Sequence, residues 1–279
     1  MMLSIGDLVL DVTVVPERPL KIDDDNHASI TVGGGGQAAN FCEWAAALGE
    51  RARLVTRVGD DDAGRLLVAQ LQRHDVEVCA VWASEPTGAI AVLVGPDGAR
   101  TMATQRGAST GLRPDDLRAE WFEGVQLIHA PGYSFFEEPL ASAARSAIAH
   151  VRRAGGILAV DLSSAAGLEA YGPERMAHLL TELAPDLLFA TQREAEVLAV
   201  PLETLARVPV IKLGASGCSI LGNVTKAPAV EEVDPTGAGD ALAAAFCVAY
   251  LHGAAVEVAA RRAVDVAARA VTTVGARPK

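Results

Sequence analysis

Short apolar runs of strand length alternate with amphipathic helical stretches along most of the chain. This is the pattern of βα units that build a largely parallel sheet with helices on its faces. Met2–Ile5, Arg53–Thr56, Gln126–His129, Ile157–Asp161, Leu187–Ala190 and Pro209–Lys212 are the expected core strands. Gln37–Leu48, Ala63–His74, Pro139–Arg153, Pro173–Leu183 and Arg193–Leu198 carry the helical spacing between them, and a long Ala-rich helix starts near Asp240. Four segments break the alternation: Val12–Val15, Ser29–Val32, Ala89–Val94 and Arg100–Gln105, the last two joined by the turn signal Gly95-Pro96-Asp97-Gly98. They predict a small β-sheet outside the main layer, a lid formed by residues of about 12–32 and 89–105. The 279 residues suit one main core, a single domain over 1–279.

Composition narrows the classes of function. Half of the residues are hydrophobic and only 4% aromatic, which favours small-faced helices packed on a sheet over an aromatic-rich sandwich. A formal charge of −11 argues against nucleic acid or an anionic membrane as partner, since either needs a basic face. The most apolar late stretch, Ala241–Leu251, is far below the roughly 20 residues that span a bilayer. The N-terminus reaches Asp7 before any signal-like apolar run, so no export is expected. Cys42, Cys79, Cys218 and Cys247 form no C-x-x-C pair, and the six histidines lack metal-ligand spacing. A reducing cytoplasm is the expected compartment.

Two glycine-rich segments carry the candidate chemistry. Gly33–Gly36 precedes Gln37-Ala38-Ala39-Asn40, where backbone amides can approach a ligand and Asn40 offers both a donor and an acceptor. No Gly-Lys-Ser/Thr follows, so it is not a Walker loop, and glycines alone equally describe a turn before a buried helix. In the second segment, Asp234-Pro235-Thr236-Gly237-Ala238-Gly239-Asp240, a β-compatible run Val230–Val233 passes through a Gly-rich turn into the Ala-rich helix. Unpaired amides at such a helix start can hold a phosphate, and a carboxylate beside them can take a proton from an attacking hydroxyl. Asp at a helix start is also a common cap.

Taken together, these segments resemble the PfkB carbohydrate kinases of the ribokinase-like family. Gly35-Gly36, Asn40, Gly49 and Gly59 fall at the spacing of the family's first motif, and Asp234–Asp240 is close to its usual Asp-Thr-Thr-Gly-Ala-Gly-Asp. The resemblance implies an α/β fold, a ribokinase-like three-layer αβα sandwich with a mostly parallel central sheet and a small β-sheet lid. It implies ATP-dependent phosphorylation of a hydroxyl, a primary alcohol by expectation, on a sugar or sugar-like molecule. Asp240 would be the base, and the amides of Gly237, Ala238 and Gly239 the anion hole. Asp11, Gly35, Gly36 and Asn40 would surround the substrate. Lys212, Gly214, Ser216, Gly217 and Thr236 would serve the nucleotide. Glu194 would organise Mg2+ through water, although Thr191 replaces the asparagine of the family's Asn-x-x-Glu motif. The closing segment Val271–Ala276, with Asp234 and Thr236, corresponds to a monovalent-cation (K+) site of some members. Cys42 is expected to be packing, and the stretch from Ser219 to Glu232 is short for the family.

Two rivals stay open at this stage. A nucleoside kinase would need a base-binding surface, for which Phe41, Trp44, Tyr133 and Phe135 are the aromatic candidates. A non-catalytic sugar or nucleotide sensor is motivated by Thr191, but retention of Asp240 beside the Gly-Ala-Gly turn argues against it. A sugar-phosphate acceptor fits less well, because the first glycine segment carries no Lys or Arg; Arg106 is the residue left to meet a phosphate. The expected partner is a small sugar or nucleoside, and an open lid edge makes a homodimer through the lid a further expectation.

Overall fold

The computed structural model describes residues 1–95, 100–273 and 275–278. In chain order the elements are β1 (Met2–Ile5), β2 (Val9–Pro16), β3 (Ala28–Gly35), α1 (Gln37–Ala47), β4 (Ala52–Gly59), α2 (Asp62–Arg73), β5 (Val76–Ala83), β6 (Thr87–Val94) and β7 (Arg100–Gly107). They continue with β8 (Leu127–Pro131), α3 (Leu140–Arg153), β9 (Ile157–Asp161), α4 (Ala165–Tyr171), α5 (Pro173–Leu183), β10 (Leu187–Thr191) and α6 (Gln192–Leu198). The last are β11 (Val208–Lys212), β12 (Cys218–Ile220), β13 (Asn223–Thr225), α7 (Ala238–Leu251) and α8 (Val256–Ala270).

Nine strands form the main sheet in the order β13-β12-β11-β10-β9-β8-β1-β4-β5, parallel except at β12 and β13. Successive side chains of a strand point to opposite faces, and the two cores follow that period. Leu187 and Phe189 face the core covered by α1, α2, α7 and α8, while Leu188 and Ala190 face the one covered by α3 to α6. Because both faces are buried, the central strands read as continuous apolar runs. The expected three-layer αβα architecture is what the chain adopts.

The four segments that broke the alternation pair as a second sheet, β3-β2-β6-β7. It is rooted where β2 and β6 leave the main body. Asp61, the N-cap of α2, fixes that root by accepting from the Thr87 amide at 2.8 Å and its hydroxyl at 2.6 Å. The expected Gly95–Gly98 turn lies, from Pro96 on, outside the described residues, but the strands flanking it pair antiparallel from Thr87↔Gly107 to Val94↔Arg100.

Some elements escaped the pattern. Strand β5 is at the edge of the main sheet, where burial need not be continuous, and Glu77 breaks its apolar run. Strands β12 and β13 have three residues each, too few for a period. The expected strand at Val230–Val233 does not form. Val230 and Val233 are 43% and 54% exposed, and Pro228 cannot donate to a ladder. Instead the amides of Val233 and Asp234 bond to the Val271 carbonyl at 2.8 and 3.0 Å, which ties this loop to the end of α8.

Helix α7 is held by Phe246, fully buried and edge-on to Phe189 of β10 at 5.6 Å between ring centroids. Phe246→Ala is expected to lower unfolding free energy by about 3–5 kcal/mol, read as an earlier urea midpoint with an unchanged slope.

Candidate active site

Three neighbouring parallel strands, β9, β10 and β11, end on polar residues: Asp161, Thr191 and Lys212. In an open parallel sheet the carboxyl ends of the strands form the crevice where ligands bind. Lys212 donates to both oxygens of the fully buried Asp161, at 2.9 and 2.8 Å. Burial alone would lower the Lys212 ammonium, but Asp161 and then Glu194 outweigh it and hold it above its ordinary value. Glu194 is buried beside this pair, and burial raises its carboxyl above the usual range. It closes a capping box on α6, accepting from the Thr191 amide at 2.7 Å while its own amide donates to Thr191 Oγ1 at 3.2 Å. Thr191 therefore has a definite task where an asparagine was expected.

Across from these strand ends, α7 starts on Gly237, which has φ +76° and no side-chain cap. A Cβ there would lie 2.2 Å from the Ala276 carbonyl oxygen, so only glycine permits this close turn. The amides of Gly237, Gly239 and Asp240 have no partner among the described residues, and that of Ala238 makes only a long bond to Pro235 O at 3.3 Å. They point, with the helix dipole, at the space beside Lys212, whose Nζ is 3.4 Å from where a Gly239 Cβ would stand. A cavity of ≈ 420 Å³ opens next to this point, between the Gly214–Gly217 turn and helices α7 and α8. Its wall includes Lys212, Gly214, Gly217, Ala238, Gly239 and Leu242.

Asp240 is not the cap of α7. It is the third residue of the helix, and its Oδ2 accepts from Asn40 Nδ2 of α1 at 2.9 Å. Burial pushes its carboxyl up to about 7, against the Asn40 hydrogen bond; Asp161 adds to the rise, and Lys212 and Gln37 oppose it. A carboxyl balanced near neutral pH is suited to proton transfer.

Beyond Asn40 lies a polar pocket shared by the small sheet, α1 and the C-terminal segment. Asp11 of β2 packs on Gly35, where a Cβ would come within 2.2 Å of its carboxylate. Burial raises Asp11 to about 6, opposed by Arg277. The buried Asp11 Oδ1 and Gln37 Oε1 have no hydrogen-bond partner among the described residues. Arg277 reaches into this pocket over Gly34, donating to Asn40 Oδ1 and to Gly35 O at 3.1 Å each and pairing with the buried Glu43 at 3.2 Å.

A model of the pfkB family of carbohydrate kinases matches residues 1–279. The chain belongs to the pfkB family of carbohydrate kinases. It is 27% identical to a ribokinase of Mus musculus over 281 residues, covering 92% of this chain and 84% of the mouse protein. A 2-dehydro-3-deoxygluconokinase of Thermoproteus tenax is 29% identical over 285 residues, with 90% and 82% covered. Among solved structures, an adenosine kinase from Sinorhizobium meliloti has a TM-score of 0.89 at 23% identity, covering 99% of this chain and 95% of that one. A putative ribokinase II from E. coli in complex with ATP and Mg2+ has a TM-score of 0.86 at 22% identity, covering 99% and 94%. At these identities the solved structures speak for the fold, which is ribokinase-like. As a pfkB member the chain is an ATP-dependent kinase.

Within this pfkB kinase the sequence candidates fall unevenly. Asp240, Gly237, Ala238, Gly239, Lys212 and Glu194 come together at the helix start, and Asp11, Gly35, Gly36 and Asn40 at the polar pocket, with Asn40 joining the two groups. Gly214 and Gly217 line the cavity; Ser216, expected with them, is on the exposed side of the turn and absent from the wall. Thr236 is also absent from that wall, and its hydroxyl accepts from Arg100. Asp234 does not fit a monovalent cation. Its Oδ1 accepts from Arg100 at 2.5 Å and from the Thr236 amide at 2.8 Å, and its Oδ2 from the Gly275 amide at 2.9 Å. Arg106 is bound at both ends of its guanidinium by Asp7, at 2.8 and 2.7 Å, and by Glu137 at 3.2 Å. Phe41 and Phe135 are core residues, and Trp44 donates its indole N–H to Ala276 O.

Sequence reasoning missed Asp161 and Arg277. For Asp161 there was a signal, a carboxylate closing a buried apolar run. For Arg277 there was none, since it reaches the pocket from 237 residues beyond Asn40.

The Asn40 amide holds Asp240 down, so its removal has a signed effect. In Asn40→Ala, the pH at which activity reaches half its plateau is expected to move upward from about 7, as deprotonation of Asp240 becomes harder. The pH profile of kcat/KM checks it.

Proposed function

We propose that this kinase transfers the γ-phosphoryl group of ATP to a hydroxyl of an uncharged sugar or sugar-like polyol, with Asp240 as base. The observation that carries the reading is the Asn40–Asp240 hydrogen bond. It joins the helix start that suits phosphate to the pocket that suits hydroxyls. In that pocket the unsatisfied buried atoms, Asp11 Oδ1 and Gln37 Oε1, are both acceptors, and an acceptor calls for an O–H donor.

The roles follow from position. The nucleotide occupies the ≈ 420 Å³ cavity, its base among small apolar side chains and its phosphates against Lys212 and the amides of Gly237, Ala238 and Gly239. Asp11, Gly35, Gly36 and Asn40 orient the polyol, and Arg277 braces Asn40 and the Gly35 carbonyl. Asp240 takes the hydroxyl proton as the new P–O bond forms, and the helix-start amides stabilise the charge on the transferring group. Mg2+ keeps several waters and needs only one or two carboxylates besides phosphate oxygens, so the buried Glu194 fits it. When bound it would neutralise phosphate charge. Potassium is not part of this proposal, since both Asp234 oxygens face N–H donors.

Several observations favour a neutral sugar over the alternatives. Arg106 is engaged by two carboxylates, which disfavours a phosphorylated acceptor. The aromatic candidates for stacking a nucleobase are largely committed elsewhere: Phe41 and Phe135 are core, and Trp44 is bonded. No helix among the described residues is long and apolar enough to cross a membrane. The four thiols are all buried and unpaired, which supports a reducing cytoplasm. Ile30 and Val32 are exposed on the edge strand β3 of the small sheet, which supports a dimer through that sheet.

ADP release over a panel of neutral sugars, sugar phosphates and nucleosides tests the reading, and turnover confined to phosphorylated sugars or nucleosides would overturn it. On the best acceptor, Asp240→Asn is expected to lower kcat by about 10²–10⁴-fold with the nucleotide still bound. Near-native kcat in the folded variant would remove Asp240 from the chemistry. Asp11→Ala is expected to weaken acceptor binding by roughly 1–3 kcal/mol while leaving nucleotide affinity unchanged, as measured by calorimetry.

A further inference from the structure

Arg100 opens β7 at the end of the small sheet farthest from its roots at Val9 and Thr87. From there its guanidinium crosses to the loop that precedes α7. One arm donates to Asp234 Oδ1 at 2.5 Å, and the other to the Thr236 hydroxyl. Asp234 is buried, and its remaining partners are the Thr236 and Gly275 amides. The loop is thus clamped between an arginine of the small sheet and the segment after α8, and the clamp sits directly before the unpaired amides of Gly237, Gly239 and Asp240.

We propose that Arg100 is the resident cation of this loop: it takes the place a monovalent ion would fill beside Asp234, and it makes the phosphate-binding helix start depend on closure of the small sheet. The charge argument is direct. A buried carboxylate needs a counter-charge, and a guanidinium with paired donors meets a carboxylate and a hydroxyl at once, whereas a bare ion needs oxygens turned toward one point. Asp234 turns both of its oxygens toward N–H groups. The mechanical argument follows from the same contact. Asp11 and Gly35 belong to the small sheet that carries Arg100, so an acceptor held by them favours the sheet position in which Arg100 reaches Asp234. Acceptor and nucleotide then favour the same state, a coupling of affinities between the two sites.

The coupling rests on the kinase reading, but its structural half can be tested without any ligand. Hydrogen exchange on the ligand-free protein should show the hydrogen-bonded amides of Val233, Asp234, Thr236 and Gly275 protected. In Arg100→Ala and Arg100→Gln, their exchange should be faster by about 10–100-fold, the scale of one charge-assisted bond. Arg100→Lys should recover part of the protection. Binding of Mg2+ with the β,γ-imido analogue of ATP supplies the second readout. Wild-type affinity should change by less than about twofold between potassium and tetramethylammonium chloride, whereas Arg100→Ala should bind roughly tenfold more weakly and regain affinity in potassium. Unchanged exchange in Arg100→Ala, or equal binding of the analogue by both proteins, overturns the assignment of Arg100 alone. Failure of the wild type to bind the analogue overturns the kinase reading, and the exchange result still decides whether Arg100 clamps the loop.

Discussion

The site depends on one ion pair, Lys212 with Asp161, made across the ends of two parallel strands. Three carboxylates converge here, Asp161, Glu194 and Asp240, and burying them together without a cation would be prohibitive. Lys212 satisfies both oxygens of Asp161 and leaves its charge directed at the place where α7 presents bare amides. The same ammonium tempers the rise of Glu194 and Asp240. Asp240 is therefore protonatable near neutral pH without being locked in the acid form. The pair is a structural anchor and the source of the local field in which a phosphoryl group could be handled.

Much of this was legible in the amino-acid pattern, for identifiable reasons. The central strands could be read because both faces of the sheet are buried and leave uninterrupted apolar runs such as Leu187–Ala190. The small sheet could be read because it interrupts that rhythm. The helix start at Gly237 was marked by glycines whose backbone conformation no other residue takes easily. The edge strand β5 and the three-residue strands β12 and β13 were not legible, because periodicity needs length and continuous burial. Val230–Val233 looked like a strand from its residues alone, whereas in the fold its valines are exposed and its end is tied to the Val271 carbonyl.

The candidate site divides along a similar line. Residues whose task is fixed by the local chain, such as Gly237 or Asp240, stand out in their motifs. Those whose task is fixed by distant neighbours do not. Arg277 meets Asn40 only because the C-terminal segment returns over Gly34. Thr191 looked like a defect in a motif, yet it completes a capping box with Glu194 that orders the very carboxylate the motif supplies. Thr236 and Asp234 were read as groups facing a ligand or an ion, whereas Arg100, brought from a different sheet, takes them both.

The strand order has a consequence for how such a chain matures. Strand β1 lies between β8 and β4, so one of its edges is paired by residues 52–55 and the other only by residues 127–129. During synthesis the first strand must therefore keep a bare apolar edge while the small sheet and the long stretch before β8 are still being made. Such an edge invites pairing with other chains, and its closure waits on contacts of long sequence separation, which are slow to form. The sheet consequently grows outward from β1 in chain order, β4 and β5 on one side and β8 to β13 on the other, and the second edge of β1 stays open to aggregation until Leu127 arrives.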